Sequence, residues 1–170
     1  TNYKKRLALL KSGKLRLVVR KSNKHMLVQL VKYGDIGDNV IKTQTTKKLS
    51  EYGWSSNTSN IPAAYLVGFL IGTEMKGKEA ILDLGLQTPI SGSKLFAVLK
   101  GAADAGLKIN FSEEVVPKQE RLNGKHIENY AKTLKGKQEF DRIFSAYLKN
   151  KKDPEKISEE FEKVKQKIVS

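Results

Sequence analysis

From Lys14 to Arg20 the chain alternates, with Leu15, Leu17 and Val19 set against Lys14, Arg16 and Val18. A period of two sends successive side chains to opposite sides, so the segment predicts a strand with one apolar face. Its other face is largely cationic, and that side is not expected to be core. Met26–Lys32 predicts a second strand, "YGDIGDN" at 33–39 has turn chemistry, and the β-branched run Val40–Thr46 predicts a third. Three consecutive strands joined by short polar segments predict an antiparallel meander.

Further along, the pattern changes. "LSEYGWSSNTSN" is a polar loop, and Ser59 or Asn60 can cap a following helix whose first turn accepts Pro62. That helix, "AAYLVGFLIGTEM", is apolar almost all round, which predicts burial on most sides. Gly68 and Gly72, four apart, share one face and allow a neighbouring backbone close, expected here to be the sheet. "EAILDLGL" then reads as a short strand, "SGSKLFAVLKGAADAG" as a helix capped by Ser91 or Ser93 and stopped at Gly106, and "LKINF" as a further strand. Strand, helix, strand at this spacing predicts a right-handed parallel crossover.

The expected class is therefore α/β, a mixed five-stranded sheet made of the meander followed by βα units. From Val116 onward the periodicity is helical, over 118–134, 137–148 and 154–168. Phe140, Ile143, Phe144, Tyr147 and Leu148 recur on one face, as do Ile157, Phe161, Val164 and Ile168. Asp153 and Pro154 mark the start of the last helix. Its other face mixes Lys and Glu and is expected to be solvated. This divides the chain into an α/β domain, 1–134, and a C-terminal helical extension, 135–170.

Composition adds a partner to this picture. The 170 residues carry a formal net charge of +14, which favours a polyanion because each cation placed on a phosphate releases condensed counterions. The imbalance is concentrated: positions 1–50 hold 13 Lys and Arg against only Asp35 and Asp38. The chain has no cysteine, so disulfides and thiolate metal sites are excluded, in keeping with a cytosolic setting. The longest apolar stretch, 61–71, falls short of the ~20 residues a membrane span requires. The first residue is Thr1 and not methionine, which points to a preceding segment.

The densest candidate chemistry is the turn "RKSNKH" between the first two strands. Arg20, Lys21 and Lys24 offer charge-assisted bonds to phosphate, and Ser22 and Asn23 offer short neutral donors for ribose or phosphate oxygens, while His25 reads as a packed or hydrogen-bonded histidine. Ser22 and Asn23 are equally explained as turn stabilisers bonding to local backbone. Tyr52 and Trp54 in "EYGW" are either stacking platforms for an unpaired base or a pin closing the loop onto the core.

Enzyme readings fare worse. Two histidines 101 positions apart form no metal motif, and neither a metal nor another cofactor is expected. A two-metal nuclease of the ribonuclease H type needs converging carboxylates, yet the first strand has none, leaving only Glu74 and Asp83. "SGSK" lacks the glycine spacing of a phosphate loop, and no serine lies in a nucleophile elbow. No catalytic residue is assigned.

Four stretches, "RLVVRKSNKHMLVQLV", "NIPAAYLVGFLIG", "AILDLGLQTPISGSKLFAVLKGAADAGLKI" and "RLNGKHIENYA", closely resemble the large-subunit ribosomal protein eighteen family in its archaeal and eukaryotic form. The resemblance runs from about Lys4 to Leu134. It implies a sheet of ribonuclease-H-like topology and a non-catalytic protein that binds 5S rRNA in the central protuberance, beside larger rRNA and neighbouring ribosomal proteins and without a membrane. The site residues it implies are Arg20, Lys21, Ser22, Asn23, Lys24 and His25 in the turn, joined by Lys94 and Lys100. Tyr3, Lys4, Lys5 and Arg6 correspond to the end of a basic stretch that in the family lies further upstream. With Lys14 and Arg16 of the first strand, and Tyr52 and Trp54, these complete the expected RNA-binding set.

Overall fold

The structure is a computed structural model that describes residues 1–149 and 152–170. Three strands form the meander: β1 (Leu15–Lys21), β2 (Met26–Lys32) and β3 (Asn39–Thr45). β1 pairs antiparallel with β2 and β2 with β3, with an irregularity in register between Leu30 and Val31. After helix α2 (Ile61–Glu74), strand β4 (Ala80–Asp83) pairs parallel with β1, giving the order β3-β2-β1-β4. The sheet is thus mixed and four-stranded.

The expected fifth strand does not form. "LKINF" contributes one isolated parallel bridge, Glu79 with Lys108. Around it Lys108 donates to the Lys78 carbonyl at 2.9 Å and Ala80 donates to the Lys108 carbonyl at 3.0 Å. Beyond Ile109 the chain leaves the sheet edge for a 3-10 turn, Glu113–Val115, tied back by Gly92 N–H to the Val115 carbonyl at 2.8 Å. That tether draws the segment away before a ladder can extend.

Leu17, Val19, Met26, Val28 and Leu30 project from one face of the sheet and are fully buried with α2 and α3 (Lys94–Asp104) in a single core. Asn60 caps α2 through its side chain, accepting from the Ala63 N–H at 2.9 Å, whereas Ser93 stands at the start of α3 without a side-chain cap bond. The glycine face of α2 meets α3 and not the sheet, which corrects the expected partner. A Cβ added at Gly68 would lie 2.1 Å from the Val98 carbonyl oxygen, and one at Gly101 would lie 2.1 Å from the Tyr65 carbonyl oxygen. The two helices therefore pack backbone to backbone, because glycine leaves room for a carbonyl where any side chain would stand.

The C-terminal region is more broken than its periodicity predicts. Gly124, in the left-handed region at φ 88°, separates α4 (Gln119–Leu122) from α5 (Lys125–Leu134). A second break at Phe144 separates α6 (Gln138–Ile143) from α7 (Ser145–Lys149), so Phe144 is buried while Ile143 and Leu148 stay half-exposed. Asp153 caps a short 3-10 turn, Pro154–Lys156, that leads into α8 (Ile157–Val169). Ile157, Phe161, Val164 and Ile168 all enter the main core, packed on α2.

One element has no counterpart in the expected order. Residues Tyr3–Leu10 form a helix, α1, capped by Asn2, whose side chain accepts from the Lys5 N–H at 3.0 Å. None of its residues is buried, so no apolar stripe announced it.

Candidate RNA interface

The outer face of β1, expected to be free and cationic, is instead neutralised. Arg16 is buried at 3% exposure and lies between two carboxylates, 2.6 Å from Asp38 and 3.0 Å from Asp83. Asp38 also takes Arg6 at 2.9 Å. Burial pushes the Asp38 carboxyl up, but hydrogen bonds and charge from Arg16 and Arg6 outweigh it and hold the group below its ordinary value. Arg20 donates to the Asp83 backbone oxygen at 2.8 Å and the Val19 oxygen at 2.9 Å, and its guanidinium lies 3.3 Å from the Asp83 carboxylate. Arg16 is thus buried in a structural ion pair and is not presented on the surface as expected. Arg20 is likewise held at the strand end and does not project from the turn. A cation in mid-strand survives burial because two acids on neighbouring segments share it.

The two carboxylates that a nuclease reading would draw on are both engaged by other groups. Asp83 is saturated by Arg16, Arg20 and the Gly85 N–H at 2.9 Å. Glu74 is engaged elsewhere, with Gln44 at 2.6 Å and Lys42 at 3.1 Å. Among the described residues no group of His, Asp or Glu side chains is arranged to hold a metal ion.

Three of the expected residues that remain on the surface, Lys21, Asn23 and Lys24, lie in the β1–β2 turn. Ser22 N–H and hydroxyl both donate to the His25 carbonyl, at 2.9 and 2.8 Å, and the His25 N–H returns a bond to the Ser22 hydroxyl at 3.1 Å. Ser22 is a turn staple. With the turn closed this way, Lys21, Asn23 and Lys24 point to solvent, and neither lysine has a salt-bridge partner among the described residues. The Thr58 hydroxyl donates to the Lys24 carbonyl at 2.7 Å and lies 3.1 Å from His25 Nδ1. This joins the turn to the loop before α2.

Lys94, in the first turn of α3, extends the patch from beneath. Its ammonium donates to the Ser59 backbone oxygen at 2.6 Å and reaches the Ser59 hydroxyl at 3.2 Å. Burial, then the nearby Lys21 charge, lowers its pKa from the usual lysine value. Lys100 belongs to another surface, bonded to Asp104 at 3.2 Å and Glu113 at 3.3 Å and stacked over Phe111. Burial lowers its pKa, but hydrogen bonds and charge from those two acids win and raise it.

The aromatic candidates divide. Trp54 is 2% exposed, its indole N–H directed at the Asn57 carbonyl 3.3 Å away, so it is the pin of the loop and has no face free for a base. Tyr52 is partly buried against the same core. Tyr3, Lys4 and Lys5 are exposed on α1, and Lys14 pairs with Glu79 at 3.3 Å.

Residues 55–58, read in the sequence as part of a polar loop, were not among the expected site residues. Ser55, Ser56, Asn57 and Thr58 line a cleft of about 260 Å³ together with Asn23, Lys24 and His25 of the turn and Tyr147 of α7. Six hydrogen-bonding residues in a row, "SSNTSN", were its only signal in the chain. Glu160 of α8 accepts the Ser55 hydroxyl at 2.6 Å and also takes the Ser55 N–H and Ser56 hydroxyl, which sets the loop's shape from the C-terminal helix.

Comparison with known protein families agrees with this arrangement. Residues 1–79 and 72–112 match the model of the ribosomal large-subunit proteins 60S L5 and 50S L18, a continuous run over about two thirds of the chain. That run includes the meander, the β1–β2 turn, the 55–58 loop and α3. The chain therefore belongs to the 60S L5 and 50S L18 family, and is a structural, rRNA-binding constituent of the large ribosomal subunit that serves translation.

Proposed function

We propose that the RNA held by this protein is 5S rRNA, which it helps to anchor in the central protuberance of the cytoplasmic ribosome. Neighbouring large-subunit rRNA and ribosomal proteins complete its surroundings. The observation that carries this reading is the patch of Lys21, Lys24 and Lys94 with Asn23 and His25, where cations without acidic partners among the described residues stand beside short neutral polar groups. Such a combination suits a folded RNA backbone, with ammonium groups on phosphates and small donors on ribose and phosphate oxygens. Tyr3, Lys4 and Lys5 of α1 form a second basic surface, suited to the larger rRNA. The protein acts by holding and not by bond-breaking, since both carboxylates that a nuclease would need are already consumed by cations and amides.

The sheet order, with the Lys108 bridge beyond β4, supports a ribonuclease-H-like arrangement used here as a scaffold. In this reading residues 1–134 carry the RNA-facing surface, and residues 135–170 brace it and offer the mixed-charge face of α8 to neighbouring proteins. Binding of 5S rRNA measured against salt tests the proposal. Each phosphate contact adds about 0.7–0.9 to the log–log slope. Lys21→Ala with Lys24→Ala should weaken binding at least several-fold and flatten the slope by about 2. An equal loss from Lys163→Ala with Lys167→Ala on α8, or equal affinity for any structured RNA of the same length, would refute it.

A further inference from the structure

We infer that the cleft between the β1–β2 turn and the 55–58 loop seats one unpaired nucleotide of the bound RNA. This rests on the RNA-binding reading above and adds a specific subsite to it. The cleft measures about 260 Å³, below the ~300–1,000 Å³ of pockets that take drug-sized ligands, and so has room for a base and little more.

Its walls are unlike those of a backbone groove. Asn23 supplies a free side-chain amide from one side and Asn57 from the other, where Asn57 Oδ1 is spent on the Ser59 N–H at 2.7 Å and its amino group is left to donate. The His25 ring is fixed in place by Thr58 at Nδ1, which leaves Nε2 directed away from that bond. Amide groups and an imidazole facing one another read the hydrogen-bonding edges of a splayed-out base, which is how sequence is recognised in unpaired RNA. Lys24, at the mouth, is placed for the phosphate of the same nucleotide.

The cleft is also held rigid. Glu160 grips Ser55 and Ser56 through three hydrogen bonds from α8, and Tyr147 of α7 lines the cleft beside them. Burial raises the Tyr147 hydroxyl's pKa against the opposing pull of Asn57, Ser56 and Asn60 around it. Two elements outside the family match therefore shape the subsite, with Glu160 as a positioning residue that keeps its negative charge behind the loop, where its oxygens accept from Ser55 and Ser56.

Binding of the full chain to two short RNA hairpins tests this, one fully paired and one carrying a single bulged nucleotide, with each of the four bases tried. The bulged form of at least one base should bind about tenfold tighter or better, the scale of a single base contact. Asn23→Ala, on an exposed turn where folding is safe, should erase that preference and leave the salt slope unchanged, whereas Lys24→Ala should flatten the slope by about 1. Glu160→Gln should reduce the preference without altering the slope. Equal affinity for paired and bulged hairpins overturns the subsite while leaving RNA binding intact, and binding to neither overturns both. Competition by a polyglutamate peptide as effective as the bulged hairpin would assign the cleft to an acidic protein and overturn the inference.

Discussion

Replacing Gly101 with alanine sets two effects of known size against each other. In a helix interior the change stabilises by about 1 kcal/mol, because alanine loses less backbone freedom on folding. At this position the added Cβ would lie 2.1 Å from the Tyr65 carbonyl oxygen, and ordinary contact begins at 3.4 Å. The helices must separate by about 1.3 Å locally, and gaps of 0.5–1 Å already forfeit a quarter to a half of each dispersion contact. Overpacking at a well-formed interface costs about 1–3 kcal/mol and sometimes more. The α2–α3 seam is the most extensive helix contact among the described residues, which favours the upper end, a gross cost of about 3 kcal/mol. The net loss is then about 2 kcal/mol, a melting temperature lower by roughly 4–8 °C for a chain of this length. Thermal unfolding followed by circular dichroism measures it. Gly68→Ala should behave alike, and the double variant should lose less than the two single losses combined, since one displacement makes room for both methyls. An unchanged or raised melting temperature in Gly101→Ala would show that the seam is not closed by backbone contact.

Other outcomes follow from the buried groups. Arg16→Met leaves Asp38 and Asp83 without their shared cation and should cost about 3 kcal/mol in urea unfolding, the lower end of the range for a broken buried pair, because Arg20 still faces Asp83. Trp54→Ala should destabilise by about 3–5 kcal/mol, and at temperatures where the variant stays folded its RNA affinity should change little. A loss of affinity without loss of stability would return Trp54 to the interface. The depressed Asp38 pKa fixes the sign of an acid dependence: its contribution is complete above the ordinary value of 3.8 and is lost as pH falls through the lower folded value. Urea midpoints scanned down to about pH 2 should fall, and Asp38→Asn should flatten that part of the curve.

Local pattern was enough for the elements whose evidence is local. The alternation at 15–19 and the β-branched run at 40–46 marked β1 and β3, and the cap at Asn60 with Pro62 marked α2, because strand period, turn chemistry and capping act between residues a few positions apart. The excess of charge in the first fifty residues pointed to a polyanion for the same reason, being a property of composition. Tertiary structure decided everything that depends on which distant residue arrives alongside. The alternation that put Arg16 on a polar face could not reveal that Asp38 and Asp83 would close over it and remove it from the surface. The spacing of Gly68 and Gly72 showed a close approach but not that α3 would make it. The 55–58 loop gained its meaning only when folding set it opposite the β1–β2 turn and Glu160, 105 positions beyond Ser55, fastened it there. Patterning by hydrophobicity fixes which side of an element is wet, whereas pairing of charges and hydrogen bonds depends on side-chain placement in three dimensions, so the interface residues were the part of the molecule least readable in one.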